Sequence, residues 1–166
     1  MSHVLSDKQK RIRDFLSKNP VGVLSTVTPD GDPHGAVIYF VLDDDFTASF
    51  LTRSGTRKSD NIKHQEHVTL TVYEPKSQTT AQIVGHATEI TDNDTVNSIA
   101  SEVLRVSLKT SEAGIPPITK LEAGSYNAFS IQPVQINMAV YKKPDSGGYT
   151  QLFDSIESFN LKEEAK

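Results

Sequence analysis

The sequence predicts a mainly antiparallel β-barrel with peripheral helices, on three observations. Apolar and polar residues alternate with a period of two in several short runs between residues 21 and 141. Turn-forming clusters of Pro, Gly and Asp separate most of these runs. Three stretches, at about 6–18, 57–65 and 94–108, read as helix instead. A chain of 166 residues suits a single domain. The expected layout is an N-terminal helix within 1–19, a barrel over 20–141 that carries the other two helices, and a C-terminal extension over 142–166.

The first helix is signalled by Ser6 and Gln9, spaced as a capping box, followed by Ile12, Phe15 and Leu16 at helical spacing. Asn19-Pro20 ends it, because the residue before a proline is pushed out of the helical region. From Val21 to Val27 the period becomes two, and the cluster Thr28-Pro29-Asp30-Gly31-Asp32-Pro33 closes that strand. A second strand spans Gly35 to Leu42. Asp43-Asp44-Asp45 turns the chain, and a third strand runs from Phe46 to Thr52. Val68–Tyr73 and Ala81–Ile90 supply the fourth and fifth. In the 94–108 helix, Val96, Ile99, Ala100, Val103 and Leu104 form an apolar stripe expected to pack on the barrel, and secondarily to join a dimer contact. Residues 110–120 read as loop. Tyr126–Gln132 and Val134–Tyr141 read as one sixth strand bent at Pro133. The charged tail from Lys162 is expected to fray.

Composition narrows function. With 17 Lys and Arg against 21 Asp and Glu, the net charge of −4 supplies no basic field to gather nucleic acid or anionic lipid. The absence of cysteine excludes disulfides, thiolate zinc sites, iron–sulfur clusters and thiol nucleophiles. No apolar run approaches the ~20 residues of a membrane span, and residues 1–15 lack the apolar core of a signal peptide. A cytoplasmic location is therefore expected.

The chemistry concentrates in Phe50-Leu51-Thr52-Arg53-Ser54-Gly55-Thr56-Arg57-Lys58, which joins a strand end to a helix start. Three of the 17 basic residues, Arg53, Arg57 and Lys58, fall within six positions of an acidic chain. Thr52, Ser54 and Thr56 add hydroxyls, and Gly55 lets backbone approach a ligand. The free N–H groups of the following helix carry positive partial charge into the same place. Together these suit a phosphate monoester dianion. The competing account is a solvated loop in which Thr56 caps the helix and the bases face water; spacing alone leaves both open. The segment lacks the GxxxxGK[ST] pattern of nucleotide triphosphate hydrolysis.

This segment resembles the pyridoxamine 5′-phosphate oxidase-like flavin-binding split barrels, and the resemblance extends over about residues 14–141. It runs through "DGDPHGAVIYFVLDDD", "FLTRSGTRKSDNIKHQEHVTLTV", "TTAQIVGHATEI" and "YNAFSIQPVQI". The resemblance implies a six-stranded antiparallel split barrel that forms a homodimer with cofactor clefts at the interface. It also implies that Thr52, Thr56, Arg57 and Lys58 hold the phosphate of FMN, and that backbone near Val37, Ile38 and Tyr39 meets the flavin ring; Arg53, on the same loop, is a further candidate contributor. Thr80 stands where the oxidases usually carry a glutamine that reaches the flavin, commonly from the partner subunit, and Gln82 on the same strand face is a substitute. The departures are as informative. The chain has no arginine after Arg105 and no histidine after His86, where the vitamin B6 oxidases hold their substrate's phosphate, and Gly35–Ala36 carries no flavin-gripping charge. The resemblance is thus to general-stress-type relatives that keep the flavin site without the pyridoxamine phosphate site.

Other constellations are weaker. The five histidines (His3, His34, His64, His67 and His86) read as solvent-exposed side chains rather than a metal centre, with His34 a candidate for the pocket mouth. Asp43-Asp44-Asp45 lacks the spacing of a calcium loop and reads as a solvated turn. No GxSxG elbow is present. The expectation is an FMN-dependent oxidoreductase acting on a small molecule, with no side chain identified as acid or base. The alternatives are a non-catalytic flavin carrier or sensor, and a split barrel that takes F420 or haem.

Overall fold

The computed structural model describes residues 5–110, 125–141 and 153–161. The described elements run α1 (Asp7–Lys18), β1 (Val21–Val27), β2 (Pro33–Leu42), β3 (Ala48–Arg53), α2 (Arg57–His64), β4 (His67–Glu74), β5 (Thr79–Ile90), α3 (Asn93–Thr110), β6 (Tyr126–Tyr141) and β7 (Phe153–Asn160). All strand pairings are antiparallel, in the order β3-β2-β1-β4-β5-β6-β7. Because β3 pairs also with β6, six strands close into a barrel and β7 lies outside the closure on β6. No described helix is long and apolar enough to cross a membrane.

Alternation decides what fills the barrel. Leu24, Ile38, Phe40, Phe50, Leu70, Val72, Ile83, Phe129, Ile131 and Ile136 point inward and are buried. Each such side chain contributes about 1.5–3 kcal/mol by leaving water. Phe50 and Phe129 face each other across the β3–β6 pairing and stack at 5.5 Å, so the seam that closes the barrel is aromatic. Helix α1 lays Ile12 and Leu16 on this core, and its N-terminus carries both reciprocal bonds of the Ser6–Gln9 capping box.

The bend expected at Pro133 is built from both sides. The β5–β6 register shifts between Val84 and Gly85, and Gly85 pairs with Pro133. A Cβ at Gly85 would sit 2.2 Å from the Gln132 carbonyl oxygen, so glycine is required there.

Three expectations change. The third strand starts at Ala48 rather than Phe46. The Asp43 carboxylate accepts from the N–H groups of Asp45 and Thr47, and Phe46 takes φ +67°, which prolongs the turn. The C-terminal extension contains β7, which sequence reading passed over; α1 fixes it, with Lys8 Nζ donating to the Ser158 carbonyl at 2.6 Å and Arg11 pairing with Glu157 at 2.5 Å. In α3, Val103 and Ser107 are the buried residues, whereas Leu104 of the expected stripe is 37% exposed. The Ser107 hydroxyl donates to the Leu104 carbonyl, which lets a small polar residue face inward as the helix packs on β2, β3 and β6. The loop expected after Thr110 and the tail from Lys162 lie outside the described residues.

Candidate functional site

Strand β3 delivers Thr52 into the barrel wall, where it is buried, and ends at the exposed Arg53. Ser54 N donates to the Ser125 carbonyl at 2.9 Å, anchoring the loop beside the start of β6. Gly55 then adopts φ +70°, a left-handed conformation that glycine takes without a Cβ penalty. Thr56 is extended and leads into α2.

The hydroxyl of Thr56 does not cap the helix. It lies 2.9 Å from the Thr52 hydroxyl, so two hydroxyls converge where the solvated-loop account places a helix cap. The first helical bond runs from Asp60 N to the Thr56 carbonyl. The N–H groups of Arg57, Lys58 and Ser59 therefore precede any intrahelical acceptor.

Lys58 sits half-buried at this helix start. Burial pushes its ammonium below the usual lysine range, and no carboxylate among the described residues pairs with it. A cation held partly out of water without a partner is costly, and an anion in the same place offsets that cost. Arg53 and Arg57 are exposed on the same loop. Ser59, at 1% exposure, adds a buried hydroxyl oxygen without a hydrogen-bond partner among the described residues. The nearby carboxylate of Glu89 is already engaged, pairing with Lys63 at 3.1 Å and accepting from Asn127 Nδ2. Asn61 is buried and donates to the Thr26 hydroxyl at 2.9 Å, which locks α2 onto β1.

The β2 residues divide by face. Val37 is 66% exposed, Tyr39 is half-buried, and Ile38 points into the core at 3%. Ile38 can therefore meet a ligand through its backbone alone. Strand β3 pairs with β2 over Phe40–Leu42, so Pro33–Tyr39 have one backbone edge without a strand partner.

Thr80 and Gln82 lie elsewhere. The register runs Val37–Val23–Thr71–Gln82, three strand spacings across the outer face, or about 14 Å. Gln82 is exposed, and its amide donates to the Thr71 hydroxyl at 3.4 Å. One chain thus brings Thr52, Arg53, Thr56, Arg57 and Lys58 together and leaves Thr80 and Gln82 apart from Val37.

Sequence reading passed over Ser59 and the Asn61–Thr26 bond, because nothing local distinguishes them from ordinary polar residues of a short helix. The Asp43–Asp45 turn is hydrogen-bonded to Thr47. Burial, then the neighbouring Asp45, raises the Asp43 carboxyl to about 6. Among the described residues no group of three or more His, Asp or Glu side chains is arranged to hold a metal. A shallow groove of about 510 Å³ between α1, the β4–β5 turn and β6 shares no residue with the predicted site.

Comparison with known proteins bears on the family and the fold. The family model for pyridoxamine 5′-phosphate oxidase matches residues 9–138. Among solved structures, an FMN-binding, pyridoxamine 5′-phosphate oxidase-related protein from Nostoc punctiforme shares 17% identity, with coverage of 96% of this chain and 99% of that one and a TM-score of 0.59. General stress protein 26 from Bacillus anthracis shares 22% identity, over 78% of this chain and 92% of that one, at 0.59. A haem-binding protein from Mycobacterium smegmatis shares 12% identity, over 95% of this chain and 60% of that one, at 0.65. A search of curated proteins finds no match.

Proposed function

The chain belongs to the pyridoxamine 5′-phosphate oxidase family, and from that premise we propose that it is an FMN-binding flavoprotein that acts as an oxidoreductase on a small molecule. The observation that carries the reading is Lys58: a half-buried cation, unpaired among the described residues, at a helix start whose N-cap hydroxyl has turned to Thr52. The phosphate of FMN suits that place. Arg57 and Lys58 neutralise it, Thr52 and Thr56 donate to it, and the N–H groups at the start of α2 complete the cradle. When bound, FMN supplies the transfer of electrons between a reduced donor and an acceptor. The chain's own part is to hold the phosphate, present the open β2 edge at Val37–Tyr39 to the ring, and exclude water from one side.

The other side calls for a second copy. A homodimer formed on the outer face of β1, β2 and β4 buries Val23, Val27, Val37 and Tyr73, all exposed in the single chain. It also carries Thr80 and Gln82 of one subunit toward the cleft of the other. The residues from 106 to 166 include neither arginine nor histidine, so the small molecule we propose is one other than pyridoxamine phosphate.

A haem-binding neighbour keeps haem as the second reading, and the phosphate cradle is what favours FMN over it. Competition between FMN and riboflavin tests the assignment. The parent binds FMN at least about 100-fold more tightly, and R57A/K58A removes that preference, since charge-assisted bonds are worth about 1.5–3 kcal/mol each. Equal affinity of parent and double variant for FMN overturns the phosphate site.

A further inference from the structure

Histidines that are remote in sequence form a pair on the barrel's outer surface. His67 opens β4 and stands directly opposite His86 in β5, with ring centroids 4.4 Å apart. Each ring is held at Nδ1 by its own acceptor: Gln65 Oε1 lies 2.7 Å from His67 Nδ1, and Glu66 Oε1 lies 3.1 Å from His86 Nδ1. Gln65 Oε1 also accepts the His67 backbone N–H at 3.4 Å, and the Glu66 carbonyl accepts Ala87 N at 2.8 Å, so the connector that carries both acceptors is itself tied to the strands.

We propose that His67 and His86 chelate a divalent transition metal of the zinc or copper class through their two Nε2 atoms. An acceptor on Nδ1 places the ring proton there and leaves the Nε2 lone pair free, which is the arrangement that orients ligating histidines in metal proteins. Among the described residues neither Nε2 has a hydrogen-bond partner. The spacing fits. With metal–nitrogen bonds of about 2.0–2.1 Å, two imidazoles at cis positions on one ion place their centroids about 4.5 Å apart at a right angle and about 5.2 Å apart at the tetrahedral angle. The observed 4.4 Å lies close to the right-angle value. Imidazole nitrogen suits zinc and copper, whereas magnesium and calcium prefer oxygen. His86 is one-third exposed, so an ion reaches the pair from solvent and water fills the remaining positions. The bound ion bridges β4 and β5 beside the α2–β4 connector and stabilises the folded chain by mass action.

Zn2+ titration of the full, tag-free chain tests the site, read by calorimetry and by 15N resonances of the histidine rings. The expected result is saturable uptake of one equivalent, with the Nε2 resonances of His67 and His86 shifting and their Nδ1 resonances retained. His67→Asn and His86→Asn each weaken uptake at least tenfold, and His64→Asn leaves it unchanged. The proposal is overturned by the lack of saturable uptake, by shifts confined to other histidines, or by full uptake in the H67N/H86N double variant. The ring resonances are read on the parent protein, so the test survives a variant that folds poorly.

Discussion

At the scale of single residues, Lys58 sets function against stability. Its ammonium is partly desolvated without a carboxylate partner among the described residues, so Lys58→Met should raise the melting temperature of the FMN-free protein while it weakens FMN binding by tenfold or more. A variant that loses both stability and affinity would show that Lys58 is paired in solution. Thr52→Val removes one of two converging hydroxyls and should cost about 0.5–1.5 kcal/mol of FMN affinity, measured by fluorescence titration. Asp43 gives a pH signature. Its carboxyl is raised to about 6, chiefly by burial and then by Asp45, so the folded state holds its proton more tightly than the unfolded chain. That contribution is favourable below the unfolded value and turns into a penalty as pH rises through about 6. Asp43→Asn keeps an oxygen acceptor for Thr47 N and drops the charge. It should therefore raise the melting temperature above pH 6, by no more than about 2–4 °C for roughly 1 kcal/mol after solvent screening, and change little near pH 4. An equal shift at both pH values would refute the account of this turn.

At the scale of elements, the β5–β6 bulge is the least replaceable joint. Gly85→Ala drives a Cβ against the Gln132 carbonyl and should cost about 3 kcal/mol, seen as a lower midpoint in urea. An unchanged midpoint would mean that the strands part freely there. This joint was half legible in the sequence: Pro133 marked the bend, but its partnership with Gly85 is a long-range register that no local pattern encodes. The same division holds elsewhere. The capping box of α1 and the alternation in β1, β4 and β5 are local, and they appear where the sequence placed them. Strand β7 depends on Lys8 and Arg11 reaching residues about 150 positions away, so its short run of alternation carried too little weight to be read. The loop proposed to hold a phosphate stands out in the sequence because Thr52 to Lys58 are contiguous. The rotation of Thr56 from cap to Thr52 was not, because it depends on where the end of β3 places a second hydroxyl.

At the scale of the whole molecule, the barrel presents an apolar outer face that one chain does not cover. Val37, at 66% exposure, is the exposed large hydrophobic residue of β2, so Val37→Asp should fold as well as the parent. The parent should sediment at twice the chain mass, and the variant should sediment as a monomer with weakened FMN binding. A parent that sediments at the chain mass would remove the homodimer from this account. The central claim, a flavin held by its phosphate at the start of α2, is tested most directly by the visible absorption spectrum of the purified chain before and after FMN is added and the excess removed. The account predicts a flavin spectrum that stays with the protein in the parent and is lost in R57A/K58A. A chain that takes up no flavin, or that shows a haem spectrum instead, would contradict it.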